Sequence, residues 1–285
     1  MTLLALALVL AAAGCHATWN LLVKRVNGGP EMVWLFSVIA ALLYLPVAVW
    51  IVVVQQPVLG PRELAFCAVS SALHMAYFLL LQRGYRHGDL SLVYPTARAT
   101  GPLLSGIVAV VLFGERPSLA GALGAAAIIG GVFFLTGGLR RGGARFRASL
   151  LFGLGAGALI GAYTVWDAHT VRALLVPPLL LDYASSLGRT VLLAPYAVTR
   201  RAAMARHWRD HRLAVLGIAL FNPLAYILVL TALVTAPVVY VAPARESSVL
   251  ITVLLGTLLL GEGDTRRRLG WAAVILAGMV LLAAG

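Results

Sequence analysis

The sequence is poor in charge and nearly devoid of cysteine. Of its 285 residues, 11% are Asp, Glu, Lys or Arg, and the cysteines are Cys15 and Cys67. Two cysteines within apolar segments form neither a disulfide framework nor a metal-binding pattern. The sequence also lacks the phosphate-binding loop of nucleotide-driven pumps and the HExxH and GxSxG motifs of hydrolases. We therefore expect no enzyme, no metal and no cofactor.

Apolar side chains are what the sequence has in excess. Hydrophobic residues make up 61% of the chain, and its mean hydropathy is +0.94. A water-soluble fold cannot bury that much apolar surface, and the continuous runs differ from the alternating segments of a transmembrane barrel. Polar breaks leave ten segments of roughly the 20 residues that span a bilayer, at 3–23, 32–54, 64–84, 90–113, 118–138, 149–170, 177–198, 213–233, 237–260 and 269–284. We predict an all-α integral membrane protein with ten transmembrane helices, surrounded by the lipid bilayer.

The basic residues indicate how the chain is oriented. With 21 Arg and one Lys against 10 acids, the formal net charge is +12, and sixteen of the basic residues lie in loops after odd-numbered segments. The opposite side carries Arg62, Arg116 and Arg172. Because cytoplasmic loops are enriched in Lys and Arg, both termini should lie outside a cell inner membrane. The basic charge therefore reports topology, and we expect no nucleic-acid partner.

The two halves of the chain resemble each other at a shift of 147 residues. The matches involve uncommon residues: Trp19-Asn20 with Trp166-Asp167, Arg98 with Arg245, Gly114-Glu115 with Gly261-Glu262, and Gly131 with Gly278. We expect a first repeat over 1–139, a basic linker over 140–148 and a second repeat over 149–285. Since five helices per repeat is an odd number, the second repeat should be inverted in the membrane.

The paired motifs resemble those of a known family. Pro95 and Arg98 in the fourth segment, and Gly114-Glu115 after it, recur as Pro243 with Arg245 and as Gly261-Glu262. This pattern is similar to the EamA-type transporters of the drug/metabolite transporter superfamily. The resemblance implies a secondary transporter that works by alternating access, and a homodimer is the protein assembly to expect. Its substrate stays open, because members are associated with amino acids, drugs, nucleotides and other metabolites. Many members are thought to keep both termini in the cytoplasm, whereas the charges here predict the reverse.

Six ionisable residues lie inside the apolar segments rather than in loops. They are Arg98, Asp167, Asp182, Arg189, Arg245 and Glu246. A charge at the bilayer centre costs about 2.5–3.5 kcal/mol, so these side chains should face the bundle interior. Three are basic and three acidic, which leaves two interpretations for each one: a ligand of the substrate, or half of a buried ion pair that fixes helix packing.

The two repeat-related arginines are the strongest candidates for substrate binding. Arg98 and Arg245 lie beside Pro95 and Pro243, which we expect to break their helices. Arginine binds a carboxylate or phosphate through two parallel hydrogen bonds and keeps its charge when desolvated. The alternative is that Asp167 or Glu246 neutralises Arg245. Glu246 is the less natural partner, because sequence neighbours on a helix point about 100° apart.

Other polar residues form weaker candidates. In the seventh segment Asp182, Ser185, Ser186 and Arg189 share one helix face, which either lines a cavity or packs. His16, Asp167 and Glu246 are candidates for proton coupling, and Trp19 and Trp166 either wall the cavity or lie at the membrane interface. Glu115 should cap the helix after it or pair with Arg116. Gly153, Gly157 and Gly161 should let the sixth helix approach a neighbour closely.

Together these features predict transport of a small polar metabolite, either anionic or zwitterionic. The small multidrug members of the superfamily have an acid midway along their first helix, where this sequence reads Gly14-Cys15-His16. Export of drugs or amines is therefore the alternative within the same class. A second alternative, from another class, is a membrane scaffold or accessory protein that transports nothing, whose buried charges would all be paired.

The orientation can be tested with reporter fusions. A reporter that is active only in the cytoplasm should be inactive when fused after Gly285, because the sixteen loop charges hold the odd-numbered loops inside. The same reporter inserted in the 140–148 linker should be active and serves as the control. Activity at the C-terminus would show that the termini lie inside.

Overall fold

The computed structural model describes residues 2–26, 28–87, 90–135, 146–251 and 265–284, which form helices and turns with no strand among them. The helices are α1 (Leu3–Val26), α2 (Pro30–Trp50, continued by a π-helical turn over Ile51–Gln55), α3 (Pro61–His87), α4 (Leu90–Phe113), α5 (Leu119–Leu135), α6 (Phe146–Arg172), α7 (Pro178–Val198), α8 (Arg201–Thr235), α9 (Val238–Arg245) and α10 (Thr265–Ala284). A helical stretch over 247–251 comes after α9. The all-α class predicted from the sequence is confirmed.

The exterior of the bundle is apolar. Large side chains such as Leu64, Val111 and Leu192 are 57%, 72% and 58% exposed, which a membrane protein tolerates because lipid surrounds them. Six described stretches are long and apolar enough to cross a bilayer, at Leu3–Val23, Pro30–Gln55, Pro61–Leu81, Thr96–Phe113, Phe146–Arg172 and Arg201–Thr235. The apolar stretches Leu119–Leu135 and Gly270–Leu282 are shorter. The chain is therefore a multi-pass membrane protein.

One expectation about a helix end is wrong. The stretch 199–212, expected to be a connection, is mostly helical, because α8 begins at Arg201 and bends at His211, where φ is −136°. No glycine or proline interrupts it, so its basic side chains extend the helix along an exposed surface. Helix α6 begins at Phe146, within the predicted linker over 140–148; residues 136–145 lie outside those that the structure describes.

The two prolines expected to break helices behave differently. Helix α4 runs through position 95 without interruption, although the side chain of Pro95 is outside those described. Pro95 is the sixth residue of α4, so its missing N–H removes one hydrogen bond near the start of the helix. On the other repeat the expected break is present. Helix α9 ends at Arg245, and the N–H of Glu246 donates to the carbonyl of Pro243 three residues earlier.

The helices of one half pack against those of the other in a regular order. Helix α1 packs on α8 and α3 on α6, while α2 packs on α7, α4 on α9 and α5 on α10. Because each repeat has five helices, a helix of the first half corresponds to the helix whose number is five higher. Replacing both helices of a pair by their counterparts gives the same pair or another of these pairs. The same holds for α2 with α8 and α3 with α7. The contacts between the two halves are thus related to one another by the repeat.

The glycines of α6 bring its backbone close to α4, as the sequence predicted. A Cβ on Gly153 would lie 2.7 Å from Cβ of Thr96, and one on Gly157 would lie 2.5 Å from Cβ of Thr100. Gly161 lies against Leu104 in the same way, at 3.1 Å. Small residues at four-residue spacing therefore receive side chains from α4, which allows close packing without a hydrophobic driving force in lipid.

Replacing Gly157 with alanine should destabilise the bundle. The added methyl overlaps Thr100, and overpacking of this kind costs about 1–3 kcal/mol. The matched control is Gly130→Ala, since a Cβ there meets nothing within 4 Å. Both changes improve helix propensity equally, so a thermal melt of the purified protein should show a lower melting temperature for Gly157→Ala alone. Equal melting temperatures would contradict the steric argument.

Candidate functional site

Two arginines from different halves meet at one carboxylate. Nε of Arg98, on α4, lies 2.9 Å from Oε2 of Glu246, and Nε of Arg245, at the end of α9, lies 3.6 Å from Oε1. Nη2 of Arg98 also donates to Oγ of Ser248 at 3.2 Å. The structure thus brings together Arg98, Arg245 and Glu246, three of the charges predicted to lie inside the bundle. We call them the arginine cluster.

Glu246 takes part in the cluster although it follows Arg245 directly in the chain. Neighbours on a helix point about 100° apart, which is why the sequence made Glu246 the less natural partner of Arg245. Glu246 forms the turn that ends α9, with φ −69° and ψ −10°. Its carboxylate lies closer to Nε of Arg98, at 2.9 Å, than to Nε of Arg245, at 3.6 Å. The contact across the two halves is therefore the shorter one.

The arginine cluster carries unsatisfied hydrogen-bonding capacity. Arg245 is 3% exposed and Glu246 is fully buried. Within the described part of the chain, Nε of Arg98, Nε and Nη2 of Arg245 and both oxygens of Glu246 have no directed hydrogen bond. The close approach of Arg98 to Glu246 is therefore an ion pair without hydrogen-bond alignment. Two guanidinium groups and one carboxylate leave one positive charge, which suits an anionic group.

His16 and Trp19 form a pair on α1. Nε1 of Trp19 donates to Nδ1 of His16 at 3.0 Å, so the proton of a neutral His16 lies on Nε2. That Nε2 is buried and has no hydrogen-bond partner among the described residues. His16 also lies within electrostatic range of Arg98 and Arg245. Trp19 thus orients a donor on α1 near the arginine cluster.

A second buried group of polar side chains surrounds Asp167. Its Oδ2 accepts hydrogen bonds from Oη of Tyr226 at 2.5 Å and from Nε2 of His74 at 3.0 Å. The carboxylate is fully buried, and Oδ1 has no hydrogen-bond partner in the described part of the chain. Helices α3, α6 and α8 each supply one of these three residues. We call them the aspartate cluster.

Tyr163 lies between the two clusters. Its ring stacks on that of His74 at 4.0 Å between centroids, and Cζ of Arg245 lies 6.0 Å from the centroid of the same ring. Tyr226 meets Tyr163 edge-on at 6.2 Å. The site therefore has a positive end and a negative end with aromatic rings between them. Tyr163 and Tyr226 were not predicted from the sequence, although Tyr226 matches Tyr77 of the first half when small gaps are allowed.

The polar stripe of α7 lies elsewhere. Asp182, Ser185 and Ser186 are buried, and Nη2 of Arg189 donates to Oγ of Ser186 at 2.9 Å. Asp182 and Ser186 face a narrow crevice beside Tyr44 of α2 and Pro223 of α8. No hydrogen bond or ion pair among the described residues joins this stripe to either cluster. Its contacts are those of helix packing between α7, α2 and α8.

Trp166 also lies apart from the charges. Its Nε1 donates to the carbonyl of Phe66 at 2.9 Å, and the two rings stack at 4.3 Å between centroids. With Phe113 and His169 it lines an apolar groove of about 480 Å³. Trp19 and Trp166, although related by the repeat, therefore have different surroundings.

A bundle of apolar helices whose buried charges converge from both halves is characteristic of polytopic membrane proteins that handle polar solutes. Comparison with known families makes this specific. Residues 3–137 and 147–284 each match the EamA-like transporter family, so nearly the whole chain is covered, and the protein belongs to that family. The family expected from the sequence motifs is confirmed.

Comparison with solved structures concerns the fold alone. One crystal structure, described simply as "crystal structure of protein", is similar to this chain with a TM-score of 0.77 at 14% identity. The similarity covers 98% of this chain and 96% of the other. Among curated proteins, none matches the sequence.

Removing the shared carboxylate should destabilise the protein. In Glu246→Gln, Arg98 and Arg245 keep their charges without a counterion, and breaking a buried ion pair costs about 3–5 kcal/mol. In the double variant Arg98→Gln/Glu246→Gln one of the two cations is gone. A double-mutant cycle on melting temperature should then give less destabilisation than the sum of the single changes. Strictly additive effects would mean that Arg98 and Glu246 do not interact.

Proposed function

We propose that the protein is a secondary transporter that moves a small zwitterionic or anionic metabolite by alternating access. In this proposal ten transmembrane helices form two inverted repeats, over 1–139 and 149–285, in the cell inner membrane with both termini outside. Membership of the EamA-like family supports transport, and the reciprocal pairing of corresponding helices supports the two repeats. We place the substrate between the two clusters, beside the ring of Tyr163.

The proposal about the substrate rests on buried polar atoms that have no hydrogen-bond partner in the described structure. Arg245 presents Nε and Nη2 without hydrogen-bond partners in the described structure, and Asp167 presents Oδ1 in the same condition. Buried polar groups are normally satisfied, so each end of the site suits a ligand group of opposite charge. A carboxylate or phosphate would bind the arginine cluster. An ammonium group would bind Asp167 and the rings of Tyr163 and Tyr226.

These two ends favour a zwitterion over a simple anion. Glu246 already neutralises one of the two arginines, which leaves a single positive charge for the substrate's anionic group. Asp167 accepts from His74 and Tyr226, and the described structure gives it no ion pair with an arginine. A ligand with one charge of each sign would compensate both ends at once, whereas an anion would leave Asp167 uncompensated.

Proton coupling is assigned to the acidic residues of the same site. Asp167 shares hydrogen bonds with a histidine and a tyrosine, which is the arrangement of side chains found in proton relays within membranes. Glu246 is the second candidate, because protonating it would free both arginines for substrate. His16 is a third, although its Nδ1 is already occupied by Trp19. We assign Asp182, Arg189 and Trp166 to helix packing.

The alternatives make different use of the same residues. An amine exporter would need the aspartate cluster alone, and the arginine cluster would then have no ligand. A scaffold that transports nothing would have its buried charges fully paired, whereas the described atoms of Arg245, Glu246 and Asp167 retain unused hydrogen-bonding capacity. Family membership also favours transport over scaffolding.

A thermal-shift screen on the purified protein can test the substrate class. The panel contains small amino acids, the amines that lack their carboxylates and the carboxylic acids that lack their amino groups. Because ligand binding stabilises the folded state, zwitterions should raise the melting temperature most. The shift should be lost in Arg245→Gln and in Asp167→Asn, and kept in the control Arg62→Gln, which removes an exposed arginine.

Several outcomes would contradict this proposal. An unchanged shift in both Arg98→Ala and Arg245→Ala would remove the arginines as ligands. Stabilisation by amines alone, lost in Asp167→Asn and kept in Arg245→Gln, would favour the amine exporter. Uptake of the stabilising compound into proteoliposomes, with and without a pH gradient, then tests transport and its coupling to protons.

A further inference from the structure

Four helix ends meet at Glu115 and Arg172, at a distance from both clusters. Glu115 comes after α4, and Arg172 is the last residue of α6. Next to them lie the end of α8 and the start of α9. Glu115 belongs to the first repeat, whereas α6, α8 and α9 belong to the second. This junction therefore fastens one half of the protein to the other.

The side chain of Glu115 accepts hydrogen bonds from backbone N–H groups at the start of α9, which have no partner within the helix. Its Oε1 accepts from the N–H of Val238 and its Oε2 from the N–H of Val239, both at 2.9 Å. The first N–H groups of a helix have no partner within the helix, and they attract negative charge. A positive φ of 65° at Gly114, which a residue with a side chain would adopt only with strain, turns the chain after α4.

Arg172 completes the junction from the other side. Its Nη1 donates to Oε1 of Glu115 at 2.9 Å, and its Nε donates to the carbonyl of Leu233 at 2.5 Å. Nη2 of Arg172 donates to the carbonyl of Ala236. One guanidinium group thus satisfies the free carbonyls at the end of α8 and neutralises the carboxylate that caps α9.

This arrangement corrects the role that the sequence suggested for Glu115. The expected partners were the helix after it, α5, or the adjacent Arg116. Arg116 is exposed, and the described hydrogen bonds of Glu115 run to α6 and α9 instead. A further bond between the halves lies beside it, where the N–H of Ser118 donates to Oη of Tyr240 at 3.1 Å.

Helix α9 connects this junction with the arginine cluster. It has eight residues, with Val238 held by Glu115 at one end and Arg245 at the other. The turn at Glu246 separates α9 from the helical stretch over 247–251. All eight residues of α9 are buried, so a shift of this short helix would carry Arg245 with it. At 1.5 Å per residue, Val238 and Arg245 are about 10 Å apart along the axis. On α4, Arg98 and Phe113 are about 22 Å apart.

We propose that Glu115 and Arg172 form a gating latch, which closes this end of the passage and opens in each transport cycle. The inference rests on the proposed function, because alternating access requires the two halves to separate at each end in turn. The side chain of Glu115 is 9% exposed and that of Arg172 is 25% exposed. The bonds are therefore shielded enough to hold, yet water reaches them and replaces the lost partners on opening. Release of Val238 would free α9 to reposition Arg245.

The latch concerns Glu115 and Arg172 alone. At the repeat shift of 147, Arg25 corresponds to Arg172 and Glu262 to Glu115. Glu262 lies outside the residues that the structure describes.

Cysteine labelling can follow the opening of the latch without any substrate. Ala109 is fully buried one turn before the end of α4, directly beneath the junction. We would introduce Ala109→Cys in a background of Cys15→Ala and Cys67→Ala, and measure its rate of reaction with a hydrophilic maleimide in nanodiscs. Glu115→Ala and Arg172→Gln should raise this rate about tenfold, because each removes charge-assisted hydrogen bonds. Glu115→Gln, which keeps an acceptor oxygen, should raise it less.

Two controls separate a latch from a merely structural contact. Arg116→Gln removes a neighbouring charge that makes no described contact with Glu115, so its labelling rate should stay within about twofold of the parent. Cysteine at Ala219, buried in α8 within a different core cluster, reports general loosening. A structural role would lower the melting temperature and raise labelling at both sites equally, which would overturn the proposal. So would an unchanged rate at Ala109→Cys in folded Glu115→Ala and Arg172→Gln.

The labelling result and the substrate screen can fail independently. If the latch variants leave labelling unchanged while zwitterions still stabilise the parent protein, the gating role is wrong and the transport proposal stands. If labelling rises as expected and no ligand of the panel binds, the latch stands and the proposed substrate class is wrong.

Discussion

The structure depends on how buried charge is compensated inside an apolar bundle. Arg98, Arg245 and Glu246 lie where water is excluded, so each would destabilise the fold if it stood alone. The carboxylate of Glu246 approaches both guanidinium groups and holds α4 of the first half against α9 of the second. Compensation is incomplete, since two arginines share one acid, and one positive charge stays inside the bundle with unused hydrogen-bond donors on Arg245.

The second charge, on Asp167, is handled by hydrogen bonds rather than by an arginine. Tyr226 and His74 donate to one of its oxygens, and Tyr163 separates this carboxylate from Arg245. Opposite charges are thus kept apart within one interior, although direct pairing would compensate both. A structural core has no need of that separation, whereas a binding site for a molecule with two charged ends requires it.

The short helix α9 lies between the Glu115–Arg172 junction and the arginine cluster. Its start is capped by Glu115, its end carries Arg245, and the turn at Glu246 separates it from the helical stretch over 247–251. Pro243 lies in its last turn, and α9 ends two residues later. The corresponding Pro95 leaves α4 intact. The two repeats therefore share residues at matching positions while their local backbones differ.

The sequence by itself determined the class of fold and the family, because its apolar runs have the length of a bilayer and the same uncommon residues recur 147 positions later. The close approach of α6 to a neighbour was also predictable from its glycines. Only the tertiary structure decided the partners. Glu246 contacts Arg98 because α4 packs on α9, Glu115 binds α9 instead of α5, and His74 and Tyr226 reach Asp167 from separate helices. Partners of this kind depend on which helices pack together, and residue spacing within one segment carries no information about that.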